Sequence, residues 1–114
     1  MAKGLNFRNF AQPTLPINMN DAEETLFTVT APRVELVERL EANQDAIVAV
    51  FEKGDRESLE EIWKLAADLI SCNRECRQVT AEDLKGRYGM SYEMLLAFFK
   101  VYGEFIDEIE NAKN

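Results

Sequence analysis

Residues 91–109 read SYEMLLAFFKVYGEFIDEI, the longest apolar segment of the chain. Tyr92, Leu95, Phe99, Tyr102, Ile106 and Ile109 step by three and four and form one helical seam. Met94, Phe98, Val101 and Phe105 form a second seam, rotated from the first. A helix with two apolar seams needs neighbours on two sides, so the rest of the chain is expected to arrange itself around this one. Ser91, just after Gly89, is the predicted N-cap. Apart from Glu93 the charges come late, at Lys100, Glu104, Asp107, Glu108 and Glu110, which predicts a buried first half and an amphipathic second half. Either both seams face the chain's own core, or the second meets another subunit or a partner helix. At 19 residues the segment approaches bilayer-spanning length, but its charges, Lys100 in mid-segment above all, argue against a membrane helix.

Immediately upstream, Val79 to Leu84 has the form of a short helix start. Thr80 caps it, Asp83 holds the capping-box position as a shorter stand-in for Glu, and Val79 can staple to Leu84. Gly86 and Gly89 keep this helix brief. The polar run Ser71 to Gln78 interrupts the apolar pattern. Before it, Leu59, Ile62, Trp63, Ala66, Leu69 and Ile70 make a clean stripe against Glu57, Glu60, Glu61, Lys64 and Asp68, and Asp55 is the predicted cap. An earlier helix opens after Pro32 and runs through Val34, Val37, Leu40, Ile47, Val48 and Phe51 to about Glu52, with Asn43 and Gln44 as a polar interruption and Gly54 as its stop. A short turn at 53–55 makes the two a helical hairpin.

The period changes from helical to alternating nearer the N-terminus. Leu15, Ile17 and Met19 point one way, residues 20–24 turn, and Phe27, Val29 and Ala31 alternate with Thr28 and Thr30, which predicts a β-hairpin. Pro16 lacks an N–H, so the first strand should be an edge or begin at Ile17. Two strands alone are marginal, and one face must lie on the helices. Residues 1–13 form an N-terminal arm carrying Leu5, Phe7 and Phe10 without a sustained period. The expected organisation is this arm, a single α+β, mostly helical domain over 14–110, in which the hairpin packs on three longer helices and one short helix, and a tail at 111–114.

With 114 residues the chain can bury a real core without disulfides or a structural metal. Its net charge of −8 repels phosphate backbones and anionic membranes, so neither nucleic acid nor membrane is an expected partner. No N-terminal stretch has the order of a signal peptide, which predicts a cytoplasmic location. The sequence has no His, the side chain most used for proton transfer near neutral pH and the commonest metal ligand. Cys72 and Cys76 share a face if helical, but there is no second Cys pair to complete a zinc site, and the spacing is not Cys-x-x-Cys. They read as two reduced thiols. The acidic pairs Glu23-Glu24, Glu60-Glu61 and Asp107-Glu108 fall in turns or on polar helix faces and read as solvated surface. Arg74, Arg77, Lys85, Arg87 and Lys100 are interleaved with Glu75, Glu82 and Asp83, which favours charge contacts within the protein or between subunits over RNA binding. No phosphate-binding Gly loop, nucleophile elbow or HExxH is present. No catalytic, cofactor-binding or metal-ligating residue is therefore predicted, and the expected chemistry is association.

The order of elements, TLPINMND (14–21), LFTVTAP (26–32) running into a helix, an acidic helical middle and a closing AFFKVYGEFIDEI (97–109), resembles the small tail assembly chaperones of long-tailed phages and prophages. The resemblance spans the chain from about Thr14 onward. It implies a non-enzymatic protein that coats the hydrophobic tape measure protein before tail-tube subunits polymerise around it, in the host cytoplasm. An acidic helical protein with surplus apolar surface suits that task. Other readings are a virion structural or connector protein and a cytosolic regulator that binds one folded protein. The candidate protein-binding residues are Phe7, Phe10, Met94, Phe98, Val101 and Phe105, and self-association into a homo-oligomer is expected through the second seam, the hairpin edge or the aromatic arm. Such chaperones often occur in a short and a frameshifted long form. The final Ala-Lys-Asn can be encoded with A AAA AAC, a slippery run, and the resemblance implies an overlapping reading frame beyond it or beyond a similar run upstream.

Overall fold

The computed structural model describes residues 13–54 and 56–112. It is an α+β, mostly helical fold: strands β1 (Leu15–Asn18) and β2 (Leu26–Val29), then helices α1 (Val34–Ala42), α2 (Gln44–Lys53), α3 (Leu59–Ile70), α4 (Ala81–Lys85) and α5 (Tyr92–Ala112). β1 and β2 pair antiparallel with Leu15 opposite Val29 and Ile17 opposite Phe27, the register that the alternation demands. The turn between them is held by Asp21, whose carboxylate accepts from the Thr25 backbone N–H at 2.8 Å and from its hydroxyl.

The elements gather around α3 rather than α5. Helix α3 touches β2 and each of the other four helices. Its Ile62, Trp63, Leu65, Ala66, Ala67, Leu69 and Ile70 are buried. Ala66 and Ala67 have little side chain to hold neighbours away, so a short helix can be approached from several directions. On α5 the two seams fuse into one stripe of Leu95, Phe98, Phe99, Tyr102, Phe105 and Ile109, all buried, which continues the whole length of the helix. The expected split into a buried first half and an amphipathic second half is not what forms. Tyr92 and Met94 are exposed near the start, and Ile109 is buried near the end. Aromatic rings stack along this stripe, from Phe51 of α2 to Phe99, Phe98, Tyr102 and Phe105, with successive centroids 5.2–5.9 Å apart.

Five helices form where four were expected. The long helix predicted from Val34 to Glu52 breaks at Asn43, whose side-chain amide donates to the Arg39 carbonyl at 2.8 Å and competes with the backbone for it. Arg39 then ties α1 to α3 by an ion pair with Asp68. Gly54 ends α2 in the left-handed region at φ 69°, which only glycine adopts without strain. Asp55 lies outside the described residues, and α3 opens at Leu59 behind Ser58, whose side chain makes no capping bond. At α4 the capping box is complete: Thr80 Oγ1 accepts from the Asp83 N–H at 3.0 Å, and Asp83 Oδ2 accepts from the Thr80 N–H at 3.1 Å. Val79 and Leu84 are both buried beside it. Ser91 Oγ accepts from the Met94 N–H at 3.2 Å, as an N-cap of α5 does.

The polar run Ser71 to Gln78 has a structural role that its composition hides. Thr30 N–H donates to the Cys72 carbonyl at 2.8 Å, and Arg74 N–H to the Thr28 carbonyl at 3.0 Å, so this loop adds a rung to the outer side of β2. Buried Asn73 shapes it, donating to the carbonyls of Ile70 and Arg77 and accepting from the Arg77 N–H. Glu75 closes the same edge by accepting from the Thr28 N–H at 2.7 Å.

Candidate protein-docking groove

Because β2 is covered on one side by β1 and on the other by residues 72–75, the edge of the sheet left open among the described residues belongs to β1. Met19 N–H donates to the Thr25 carbonyl, so the bonded pairs along the hairpin are those of Met19, Ile17 and Leu15. Pro16 and Asn18 therefore direct their backbone polar groups away from β2. Proline stands where its missing N–H costs no ladder bond. The Asn18 N–H and carbonyl and the Pro16 carbonyl line the edge.

Beside this edge runs a groove of about 410 Å³ whose walls are β1 and the first half of α5. Leu15 through Asn20 all line it, from both faces of the strand, so it follows the edge rather than a face of the sheet. Met94, Ala97, Phe98 and Val101 form the opposite wall, and Tyr88 and Met90 close one end. None of the described lining residues is charged. Three methionines, Met19, Met90 and Met94, give the groove an adaptable apolar surface. Met94 is 38% and Val101 42% exposed, large apolar side chains presented to solvent on an acidic protein.

The candidate binding residues separate in space. Met94 and Val101 stand on the groove wall, while Phe98, 6% exposed, forms part of its floor and faces the core. Phe105, 2% exposed, belongs to the core stripe and does not line the groove. Phe7 and Phe10 lie outside the described residues. The part that sequence reasoning missed is the strand wall. Leu15, Ile17 and Met19 were legible as one face of a strand, but their apposition to Met94 and Val101 depends on a tertiary contact that no local pattern encodes.

A second cavity of about 410 Å³ lies over the 71–78 loop and is lined by Thr30, Arg33, Asp68, Cys72, Cys76 and Arg77 among others. Cys72 is half-buried and Cys76 exposed, both as free thiols. Among the described residues no group of three or more Cys, Asp or Glu could hold a metal ion. The polar groups there serve the fold: Asp68 pairs with Arg39, and Ser71 Oγ bonds the Ala67 carbonyl and both backbone groups of Val79. Of the basic residues, Lys85 pairs with Glu60 at 3.8 Å and sits over the Trp63 ring, and Arg87 sits over Tyr88. Glu60 and Glu61 are likewise taken up in ion pairs, Glu61 with Lys64 and Arg39. No described helix is long and apolar enough to cross a membrane. No family model, curated protein or solved structure matches the chain.

Proposed function

We propose that the protein is a non-enzymatic phage tail assembly chaperone that binds and solubilises the tape measure protein in the host cytoplasm before the tail tube forms. The observation that carries this reading is the groove between β1 and α5, whose described lining carries no charge on a chain of net charge −8. An apolar segment of a partner can be desolvated there without stranding a charge, while the acidic exterior keeps the complex in solution. The open edge of β1 adds backbone groups that an extended partner can pair with.

Co-expression with a phage tape measure protein, followed by pull-down, tests the proposal. The expected result is a soluble complex that Val101→Asp weakens about tenfold or more, because a carboxylate is then buried without a partner. The same substitution should leave the melting temperature of the free protein near its original value, since Val101 is exposed. A partner that is equally soluble alone, a V101D variant that binds as well as the original, or retention of the protein in finished tails would each count against a chaperone acting through this groove.

A further inference from the structure

We infer that a second copy of this chain docks on the exposed ridge of α5, the two α5 helices packing antiparallel across a two-fold axis at Ala97. The groove of the proposed function borders this ridge, but the inference needs no other partner and is tested on the protein alone. In the single chain Glu93, Met94, Ala97, Lys100 and Val101 are all exposed. Ala97 is the crest of the ridge. It lines both the groove against β1, with Met94 and Val101, and a cavity of about 360 Å³ against α2, with Leu96 and Lys100.

The charges on the ridge point to a copy of the same surface. Glu93 and Lys100 lie seven residues apart, beyond the spacing of three or four at which side chains pair along one helix. Neither makes an ion pair among the described residues. At about 100° per residue they fall to one side of Ala97, whereas Met94 and Val101 fall to the other. The ridge therefore has a charged flank, with one charge of each sign, and an apolar flank.

A two-fold axis through Ala97 sets residues equally far before and after it opposite each other, charged flank on charged flank. Lys100 of one copy then stands within about 1.5 Å, along the helix, of the level of Glu93 in the other, and Val101 within about 1.5 Å of the level of Met94. Each contact occurs twice, and the small Ala97 side chain lets the two backbones approach. A parallel pair would instead lay the charged flank on the apolar one. The antiparallel direction also sends the acidic ends, with exposed Glu104, Asp107 and Glu108, away from each other. With these five residues a side, against about 20–30 in a standard interface, the dimer is a weak one, so dilute protein keeps Met94 and Val101 in solvent.

Sedimentation equilibrium of the full-length protein up to about 1 mM should show a monomer–dimer equilibrium. Glu93→Lys removes one negative and adds one positive charge, taking the net charge from −8 to −6, which by overall repulsion alone would strengthen association. It should instead weaken the dimer about tenfold, because two ion pairs become two repulsions. Lys100→Glu should weaken it similarly, and the E93K/K100E exchange should restore it. In a background with Cys72 and Cys76 replaced by Ser, Ala97→Cys should cross-link under mild oxidation about tenfold faster than Glu108→Cys, on the same exposed stripe but about 16 Å from the axis. A monomer at every concentration, an E93K protein that associates as well as the original, or equal cross-linking at the two positions would each overturn the inference.

Discussion

Tyr102 is the most informative single residue to change. It is 1% exposed in the middle of the α5 stripe, and its hydroxyl has no hydrogen-bond partner among the described residues. An unpaired buried hydroxyl costs about 1–3 kcal/mol in lost solvation. The ring itself is well placed, 5.3 Å from Phe98 and 5.6 Å from Phe105, and Phe would keep those contacts. Tyr102→Phe should therefore stabilise the protein by about 1–2 kcal/mol, raising the melting temperature by about 4–8 °C. Urea titration should show a higher midpoint with an unchanged slope, the sign of altered stability rather than altered compactness. Alkali supplies a second readout. Burial pushes the Tyr102 phenol well above its ordinary value of 10.0. The unfolded chain can ionise it above about pH 10 while the folded chain cannot, so the original protein loses stability there and the Phe variant is spared that part of the loss. The gap between the two should widen as pH rises past 10. A Y102F protein that is less stable by about 1 kcal/mol would refute the reasoning, since that is the cost of deleting a hydroxyl that is satisfied.

Phe99→Ala and Trp63→Ala should each cost about 3–5 kcal/mol by leaving cavities in the core, a large share of the stability of an ordinary small domain; a native-like F99A melt would place that ring at a surface. Asp21 and Glu75 are held below their ordinary carboxyl values chiefly by hydrogen bonds from Thr25 and Thr28 respectively. Their contribution is complete above the unfolded values of 3.8 and 4.5 and fades as pH falls through the lower folded ones, so Asp21→Asn with Glu75→Gln should flatten the acid limb of stability below about pH 4.5. Replacing Cys72 and Cys76 together by Ser should leave folding and partner binding intact, and loss of a stoichiometric metal on that change would overturn the reading of two plain thiols. Light scattering at high concentration should give a mass above that of the monomer, motivated by exposed Leu26, Val48, Met94 and Val101; a monomer mass throughout would remove self-association from the account.

Local chemistry was readable where neighbours in sequence settle the matter. The Thr80 capping box, the Gly54 stop, the Pro16 edge and the alternation of Leu15, Ile17, Phe27 and Val29 each follow from interactions within a few residues or across one tight hairpin. The break at Asn43 was visible only as a polar interruption, because a side chain that competes for one carbonyl leaves the apolar period on both sides intact. The division of the second seam was not readable. Phe98 and Val101 are equally apolar in sequence, and which of them turns inward depends on the angle at which α5 crosses α3. The same holds for the groove, one wall of which comes from the first described element and the other from the last.

The rung that residues 72–75 add to β2 bears on how this chain folds during synthesis. The hairpin emerges early, yet Thr28 and Thr30 find their outer hydrogen-bond partners only when the chain has grown by more than forty residues, and Phe27 meets the ring of Tyr88 later still. Translation adds about 5–20 residues per second, so the apolar face of the hairpin waits for seconds with nothing to cover it. The hairpin is thus the part of the nascent protein most open to capture by other chains. A synonymous change that slows translation between residues 30 and 72 should lengthen that wait and lower soluble yield, while refolding of the finished chain, identical in sequence, should be unaffected.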